Sequence, residues 1–221
     1  MTRVGLTLSN RTWEDLTPAE LAALYDLAPP SLLVILPDID TPGFVWLTRH
    51  VADYCRMFPH TVVLLRPYND HIPELDPVDW AMECHRRCLA FGIPEAHLLG
   101  CNEINLAVEH GHEDWQRHAD WLERFALAFR ALDKTRPLHL PALSPVGSYR
   151  YGWRVFYAHN LHHLYDVADC HCYPGSLDDW RDLAATIPLP LAVTEHNQSD
   201  PAAFVATLDG RVTDYCWFIL S

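Results

Sequence analysis

The sequence lacks the features that mark several classes of protein. No apolar run reaches about 18 residues, the length that a membrane-spanning helix needs, and the first residues contain no signal-peptide core. Its 7 cysteines among 221 residues are too sparse, and too often inside apolar runs, for a disulfide scaffold. Internal repeats and low-complexity segments are also absent. We therefore expect one folded domain without a membrane partner, made for a reducing compartment and cytoplasmic by default.

Basic residues are scarce as well. The chain has 16 lysines and arginines against 29 aspartates and glutamates, a formal net charge of −13. Such a surface repels nucleic acid, an anionic membrane and a strongly anionic polymer, and it is compatible with a neutral sugar. The same acidity also maintains solubility, so it excludes a nucleic-acid partner without selecting another one.

What the chain does have is a regular series of short apolar runs. Eight of them recur with a mean spacing of about 30 residues, a typical length for a βαβ unit. Several read as continuous Val, Leu and Ile, as strands covered on both faces do. The predicted strands are Val4–Ser9, Leu32–Pro37, Val62–Pro67, Leu98–Glu103, Leu138–Ser144, Val167–Tyr173, Leu191–Glu195 and Tyr215–Leu220.

Helix signals lie between these strands. A capping residue followed by proline begins a helix, and the chain repeats this device at Thr17, Thr41, Asp76 and Asp200, with another cap at Ser176. Residues 113–133 place apolar side chains at the three- and four-residue spacing of a helix packed on a sheet. Gly92 stands where a helix C-terminus is expected.

Eight strands alternating with helices predict a compact (β/α)8 TIM barrel, as a single domain over residues 1–221. A doubly wound open sheet is the alternative, but it favours a glycine-rich turn after the first strand, and Ser9-Asn10-Arg11 stands there. The chain ends with the eighth strand, so we expect the eighth helix to be lacking. An additional domain, a partner subunit or the N-terminal segment would then cover the apolar groove beside that strand.

Polar residues collect where the predicted strands end, at the rim on which a barrel builds its active site. Two glutamates, Glu103 and Glu195, close the fourth and seventh strands. Cleaving a glycosidic bond needs one carboxyl to protonate the leaving oxygen and one carboxylate to attack the anomeric carbon. Arg66 would keep one of them ionised, while burial would keep the other protonated. The expected substrate-binding residues are Asn102, Arg66, Tyr68, His171, Tyr173, His196 and Trp217.

Two motifs resemble the clan A glycoside hydrolases, which are (β/α)8 barrels with retaining chemistry. Asn102-Glu103 ends the predicted fourth strand, and Thr194-Glu195-His196-Asn197 ends the seventh. The resemblance implies that Glu103 is the general acid/base and that Glu195 is the nucleophile. It also implies that Asn102 bonds the 2-hydroxyl of the sugar.

Two aromatic residues extend the resemblance. Tyr173, in His171-Cys172-Tyr173-Pro174, would bond the nucleophile, and Trp217 would floor the sugar subsite. The His-x-Tyr-Pro and Thr-Glu-x-Asn elements are most similar to family 39 of the clan. Two features depart from the pattern. Ile104 stands where proline usually follows Asn-Glu, and Arg66 lies on the third predicted strand rather than the second.

The sequence therefore predicts a retaining glycoside hydrolase that cleaves a β-linked, mostly neutral oligo- or polysaccharide without a metal or other cofactor. A catalytically silent sugar-binding barrel, a metal-dependent barrel hydrolase and an interaction module are the alternatives. The metal alternative would use His162-His163, His110 with His112, or Cys84 with Cys88. Tyr149, Tyr151 and Trp153 are candidate platforms for sugar rings, whereas Trp115 and Trp121, at helical spacing, are expected in the core.

Overall fold

The computed structural model describes residues 3–9, 32–36, 43–67, 72–106, 114–144, 148–172, 185–196 and 212–217. Within these ranges, parallel strands form a closed barrel in which each strand pairs with the next along the chain and the last pairs with the first. The strands are β1 (Arg3–Ser9), β2 (Leu32–Leu36), β3 (Val62–Leu65), β4 (His97–Leu99), β5 (Leu138–Leu140), β6 (Val167–Cys172), β7 (Leu191–His196) and β8 (Val212–Trp217).

Helices follow β2, β3, β4 and β5 in the described part of the chain. They are α1 (Gly43–Met57), α2 (Pro77–Phe91), α3 (Trp115–Leu132) and α4 (Tyr149–Ala158), and short 3-10 turns cover Ile72–Glu74 and Leu161–His163. No helix among these residues combines the length and the apolarity needed to cross a bilayer. The predicted alternation of parallel strands and helices is confirmed for this part of the chain.

The helix boundaries follow from local chemistry. Asp76 caps α2 as predicted, because its carboxylate accepts hydrogen bonds from the main-chain N–H groups of Val78 and Asp79. Gly92 ends the same helix in the left-handed conformation, with φ of 74°. The predicted caps at Thr17, Thr41, Ser176 and Asp200 lie outside the described residues. The single domain and the lacking eighth helix stay predictions.

The strand boundaries differ most from the prediction in β4, β5 and β8. β4 ends at Leu99 and β5 at Leu140, each four residues before its predicted end. Beyond β4, the Gly100 carbonyl accepts a hydrogen bond from the Trp80 indole at 2.6 Å. β8 spans Val212–Trp217 and begins three residues before the predicted start at Tyr215. Its pairing with β7 includes Val212 and Asp214, but the polar residues Thr213 and Asp214 interrupt the apolar pattern there.

Strand alternation separates an outer and an inner face of the barrel. Leu98, Leu138 and Ala168 belong to the large apolar cluster shared with the helices, so their strand neighbours point into the barrel. A small second cluster of Val34, Leu64 and Leu99, with Val62 packed against it, occupies part of that interior.

Polar side chains also occupy the described interior. Nδ1 of His139 lies 2.7 Å from Oδ1 of Asp169, and Nε2 of His139 lies 2.9 Å from Nδ1 of His97. His139 and Asp169 are fully buried. A hydrogen-bonded chain therefore crosses β4, β5 and β6 inside the barrel.

The aromatic residues after β5 correct the predicted sugar platform. Residues 149–158 form α4 instead of an open loop, which buries Tyr149 and Trp153 in the apolar cluster and leaves Tyr151 exposed. Trp115 and Trp121 are buried on α3, as predicted. The expectation of buried free thiols is confirmed for Cys101 and Cys170.

Candidate active site

Arg66 enters the site by strand alternation. Val63 and Leu65 pack outward against the helices, so the next position, Arg66, points into the barrel. Its main-chain N–H still donates to the carbonyl of Ile35 at 2.8 Å, which continues the β2–β3 ladder by one residue. The side chain is only 8% exposed, and the buried guanidinium therefore needs anionic or polar partners.

Glu195 reaches the same interior through a β-bulge. Strict alternation from Val193, which packs outward, would also turn Glu195 outward. The pairing of β6 with β7 skips Thr194, however, since Cys170 pairs with Val193 and His171 pairs with Glu195. The extra residue re-aims Glu195, whose Oε1 accepts a hydrogen bond from Arg66 Nη1 at 2.6 Å.

Asn102 and Glu103 arrive on the loop that follows β4. Oδ1 of Asn102 accepts from Arg66 Nη1 at 3.2 Å, so one guanidinium nitrogen serves both Asn102 and Glu195. The Glu103 carbonyl accepts from the main-chain N–H of Leu106 at 2.8 Å, which closes a turn beginning at the glutamate. Asn102 and Glu103 are both more than nine-tenths buried.

His171 joins the two glutamates. It lies on β6 between outward-packed Cys170 and the end of the strand, and it is completely buried. Nδ1 of His171 lies 2.7 Å from Oε1 of Glu103 and 3.6 Å from Oε2 of Glu195. These two oxygens can therefore be no farther apart than the sum of the two distances, 6.3 Å.

Five of the predicted site residues thus form one connected, buried network: Arg66, Asn102, Glu103, His171 and Glu195. Tyr68 and Tyr173 lie outside the described residues. His196 and Trp217 end β7 and β8, but the description does not extend to their side chains. Their roles stay predictions. The third-strand position of Arg66 is correct, and from there the side chain contacts Glu195 directly.

Two contributors were not predicted from the sequence. The bulge at Thr194 depends on the pairing between strands, which no local pattern encodes. Asn105 fastens the Glu103 loop to the residue Ser144, through two hydrogen bonds of 2.8 Å. The sequence feature that could have indicated this role is the position of Asn105, two residues after Glu103 and between the apolar residues Ile104 and Leu106.

Of the residue pairs considered for a metal site, the structure describes His162-His163 and Cys84 with Cys88, whereas His110 and His112 lie outside the described residues. Burial raises the pKa of the Cys88 thiol to about 11 and holds the pKa of Cys84 well above its usual value, with the neighbouring thiol adding to this effect. Metal binding needs a thiolate, so this pair is poorly suited to it. In the described part of the chain, Asp120, Glu123 and His159 place possible ligand atoms within 4.8 Å of one another on the helix surface.

Comparison with solved structures places the fold. The chain aligns with a GH39 enzyme from Xanthomonas axonopodis pv. citri at a TM-score of 0.66, with 14% identity, over 98% of this chain and 58% of that one. It aligns with the catalytic domain of a mannanase from Streptomyces sp. SirexAA-E at 0.63, with 14% identity, over 98% and 74%. It aligns with the catalytic domain of the GH30 xylanase C from Talaromyces cellulolyticus at a TM-score of 0.65, with 8% identity, over 100% of this chain and 68% of that one.

Such neighbours come from GH39, GH5 and GH30, which are families of clan A. The likeness is one of fold, and it agrees with the resemblance seen in the motifs. The chain spans somewhat under three fifths of the length of the GH39 enzyme. No protein-family profile and no curated protein sequence matches the chain.

Proposed function

We propose that the protein is a retaining glycoside hydrolase that cleaves a β-linked, mostly neutral glycan, with Glu103 as general acid/base and Glu195 as nucleophile. The observation that carries this proposal is that both carboxyl groups lie near the same buried atom, Nδ1 of His171, at 2.7 Å for Glu103 and 3.6 Å for Glu195.

The separation of the carboxyl groups supports retention. Retaining glycosidases hold them about 5–5.5 Å apart, whereas inverting enzymes need about 6.5–9.5 Å to fit a water between carboxylate and sugar. The upper limit of 6.3 Å between Oε1 of Glu103 and Oε2 of Glu195 lies below the inverting range. A direct attack by one of the glutamates fits this spacing better than attack by an intervening water.

The environments of the two glutamates support different roles. Arg66 lies 2.6 Å from Glu195 and stabilises its carboxylate form, which the nucleophile needs. Within the described part of the chain, neither an arginine nor a lysine pairs with Glu103. Its partner is the Nδ1 atom of His171, and either group can hold the proton of that hydrogen bond. A carboxyl that can take up and release a proton is suited to general acid/base work.

The proposed reaction has two displacements. In the first, a Glu195 oxygen bonds the anomeric carbon, the glycosidic bond breaks, and Glu103 gives its proton to the departing oxygen. In the second, Glu103 takes a proton from water, the water oxygen bonds the anomeric carbon, and the bond to Glu195 breaks. Asn102 would bond the 2-hydroxyl of the sugar, since Arg66 fixes its amide with the oxygen turned toward the guanidinium.

The substrate class rests on charge and on the neighbours. A net charge of −13 suits an uncharged glycan better than an acidic one. The similar structures include enzymes described as a mannanase, a xylanase and a β-xylosidase. We therefore propose a substrate with a neutral backbone, such as a β-linked xylose, mannose or glucose polymer or oligomer.

The test is a screen of aryl β-xylosides, β-mannosides and β-glucosides, with the corresponding polysaccharides, on wild type, Glu103→Ala and Glu195→Ala. Glu123→Ala, a surface glutamate of α3, is the matched control. We expect each active-site variant to lose about 10²–10⁴-fold or more of the activity, while the control and a chelator leave it unchanged. With azide, Glu195→Ala should yield the glycosyl azide of inverted configuration.

Two results would contradict the proposal. One is full activity in Glu195→Ala, because the reaction would then not need Glu195 as its nucleophile. The other is a folded wild-type protein that turns over none of these glycans. If such a protein still bound them, the sugar-binding barrel would be the better description.

A further inference from the structure

The loop that carries Glu103 is fastened on both sides of the glutamate. Before it, the Trp80 indole N–H donates to the Gly100 carbonyl at 2.6 Å. After it, the side chain of Asn105 reaches the loop that follows β5. Contacts with helix α2 and with the loop after β5 therefore hold this loop on both sides of Glu103.

The bond pair at Asn105 is reciprocal. Its Nδ2 donates to the carbonyl oxygen of Ser144 at 2.8 Å, and its Oδ1 accepts from the main-chain N–H of Ser144 at 2.8 Å. Both residues are about 95% buried, so these bonds are shielded from water and an unmade one would be costly. The amide completes the pairing that a strand neighbour would otherwise give, just beyond the point where β4 and β5 stop pairing.

The turn is held by one main-chain hydrogen bond, by the packing of Ile104 and by the side chain of Asn105. Glu103 occupies its first position and Leu106 its fourth, as the Leu106 N–H to Glu103 carbonyl bond shows. Ile104 is at the second position, where proline would have fixed φ near −65°. Ile104 is fully buried in the large apolar cluster, but it does not restrict φ as proline does, and the two side-chain hydrogen bonds that tie the turn to the neighbouring loop come from Asn105.

We propose that Asn105 is a positioning residue for general acid/base catalysis. By clamping the turn to the main chain of Ser144, it holds the Glu103 carboxyl against His171 and near Glu195. This inference rests on the proposed glycosidase function. A catalytic group displaced by 1 Å can cost about 10²-fold in rate, so a loosened turn should weaken the acid/base step more than nucleophilic attack.

The kinetic test uses leaving groups that differ in their need for an acid. The dinitrophenolate group leaves its glycoside without protonation, whereas the phenolate group needs a proton from the general acid to leave. For Asn105→Ala we expect kcat/KM to fall about 10–100-fold on the phenyl glycoside and less than about 3-fold on the dinitrophenyl glycoside. Ser144→Ala is the matched control, because both clamp bonds use its main-chain atoms, and it should keep the wild-type ratio of the two substrates.

A second variant guards against misfolding. Asn105→Asp keeps the size of the side chain and its acceptor for the Ser144 N–H, but it places an oxygen against the Ser144 carbonyl. We expect the same selective loss in this variant. Hydrogen exchange provides a readout that does not need activity: amides of residues 100–106 and Ser144 should exchange about tenfold faster in both variants, while β6 and β7 remain protected.

The outcomes separate the two proposals. An equal loss on both glycosides, or unchanged exchange in residues 100–106, would overturn the positioning role of Asn105. A wild-type protein without any glycosidase activity, in which Asn105→Ala still loosens the turn, would refute the proposed function and support the clamp. A selective loss with faster exchange supports both.

Discussion

Replacing Gly100 by alanine tests how tightly the site loop is packed. A Cβ added at this position would lie 2.3 Å from Cζ and 2.4 Å from Cε1 of Phe125, far inside the ordinary carbon–carbon contact of about 3.5–4.0 Å. Gly100 is not in the left-handed region, so alanine meets no backbone strain there. Its effect on stability therefore comes from this one clash and from the more restricted unfolded chain.

The Phe125 ring has little freedom to move away. It is 1% exposed, and it stacks on Trp121 with ring centroids 5.4 Å apart and on Phe129 at 6.2 Å. Overpacking in such a core costs about 1–3 kcal/mol, whereas alanine for glycine recovers about 0.4–1 kcal/mol from the unfolded state. Since the contact falls more than 1 Å short of its normal distance, the cost should lie at the upper end of its range, and we expect a net loss of about 2–2.6 kcal/mol.

The assay is urea and thermal unfolding of a double-variant cycle. For a chain of this size, such a loss lowers the melting temperature by about 4–10 °C. In the Phe125→Leu background the ring is gone, so Gly100→Ala should cost about 1–3 kcal/mol less than in wild type. Gly92→Ala is the control, because its strain comes from φ of 74° with no atom within 4 Å of the added Cβ, and Phe125→Leu should not relieve it.

A Gly100→Ala protein within about 0.5 kcal/mol of wild type, or a cycle without coupling, would refute the packing argument. The same substitution also bears on activity. The Gly100 carbonyl holds the Trp80 indole, and Asn102 and Glu103 follow within three residues. A loop displaced at Gly100 should therefore lose activity along with stability, and Phe125→Leu should restore part of both.

Two further predictions concern buried and capping carboxylates. Asp169→Ala removes the acceptor of the buried His139 imidazole at 2.7 Å, so urea unfolding near neutral pH should show a loss of about 2–5 kcal/mol, and a loss below about 1 would contradict the buried pairing. Burial acts to raise the pKa of Asp133, but hydrogen bonds from the Arg136 and Thr135 N–H groups, the Thr135 hydroxyl and the Arg136 charge outweigh it and leave that pKa lowered. The lowered pKa of Asp133 stabilises the folded protein above the unfolded pKa near 3.8, and this stabilisation is lost as the pH falls through the lower folded value. Asp133→Asn should therefore make the free energy of unfolding depend less on pH in the acid range. An unchanged pH dependence would contradict this prediction.

The barrel was accessible from the sequence because its signals repeat. Apolar runs alternate with capped helices at nearly constant spacing, and seven of the eight predicted strands begin within one residue of the observed start. Alternation also gave the direction of His171, since polar Asp169 and His171 alternate with Ala168 and Cys170 along β6. Both polar residues point into the barrel for that reason.

The ends of the strands were harder to predict. Leu98-Leu99-Gly100-Cys101 reads as one apolar strand, yet pairing stops at Leu99 and the remaining residues are buried as a loop. Burial produces the same apolar pattern in either conformation, so hydrophobicity alone cannot set the boundary. Similarly, the aromatic residues of 149–153 looked like a rim platform, whereas helical spacing turns Tyr149 and Trp153 into the core and Tyr151 outward.

The site is assembled by three different devices, and this bears on how its two glutamates respond to change. Arg66 and His171 are directed inward by strand alternation, and Glu195 by a bulge within the paired β6–β7 ladder. Glu195, the proposed nucleophile, is thus held by main-chain bonds of the sheet, which open only with large parts of the fold.

Glu103 depends instead on side-chain contacts from outside the sheet. Trp80 of α2 bonds the loop before it, Phe125 of α3 packs against Gly100, and Asn105 clamps the turn after it. Substitutions in the helices behind this loop should therefore alter the acid/base step first and leave nucleophilic attack on activated substrates nearly intact. In the proposed reaction, the more adjustable group is therefore Glu103, which exchanges a proton twice in each turnover, and the more rigid group is Glu195, which bonds the anomeric carbon.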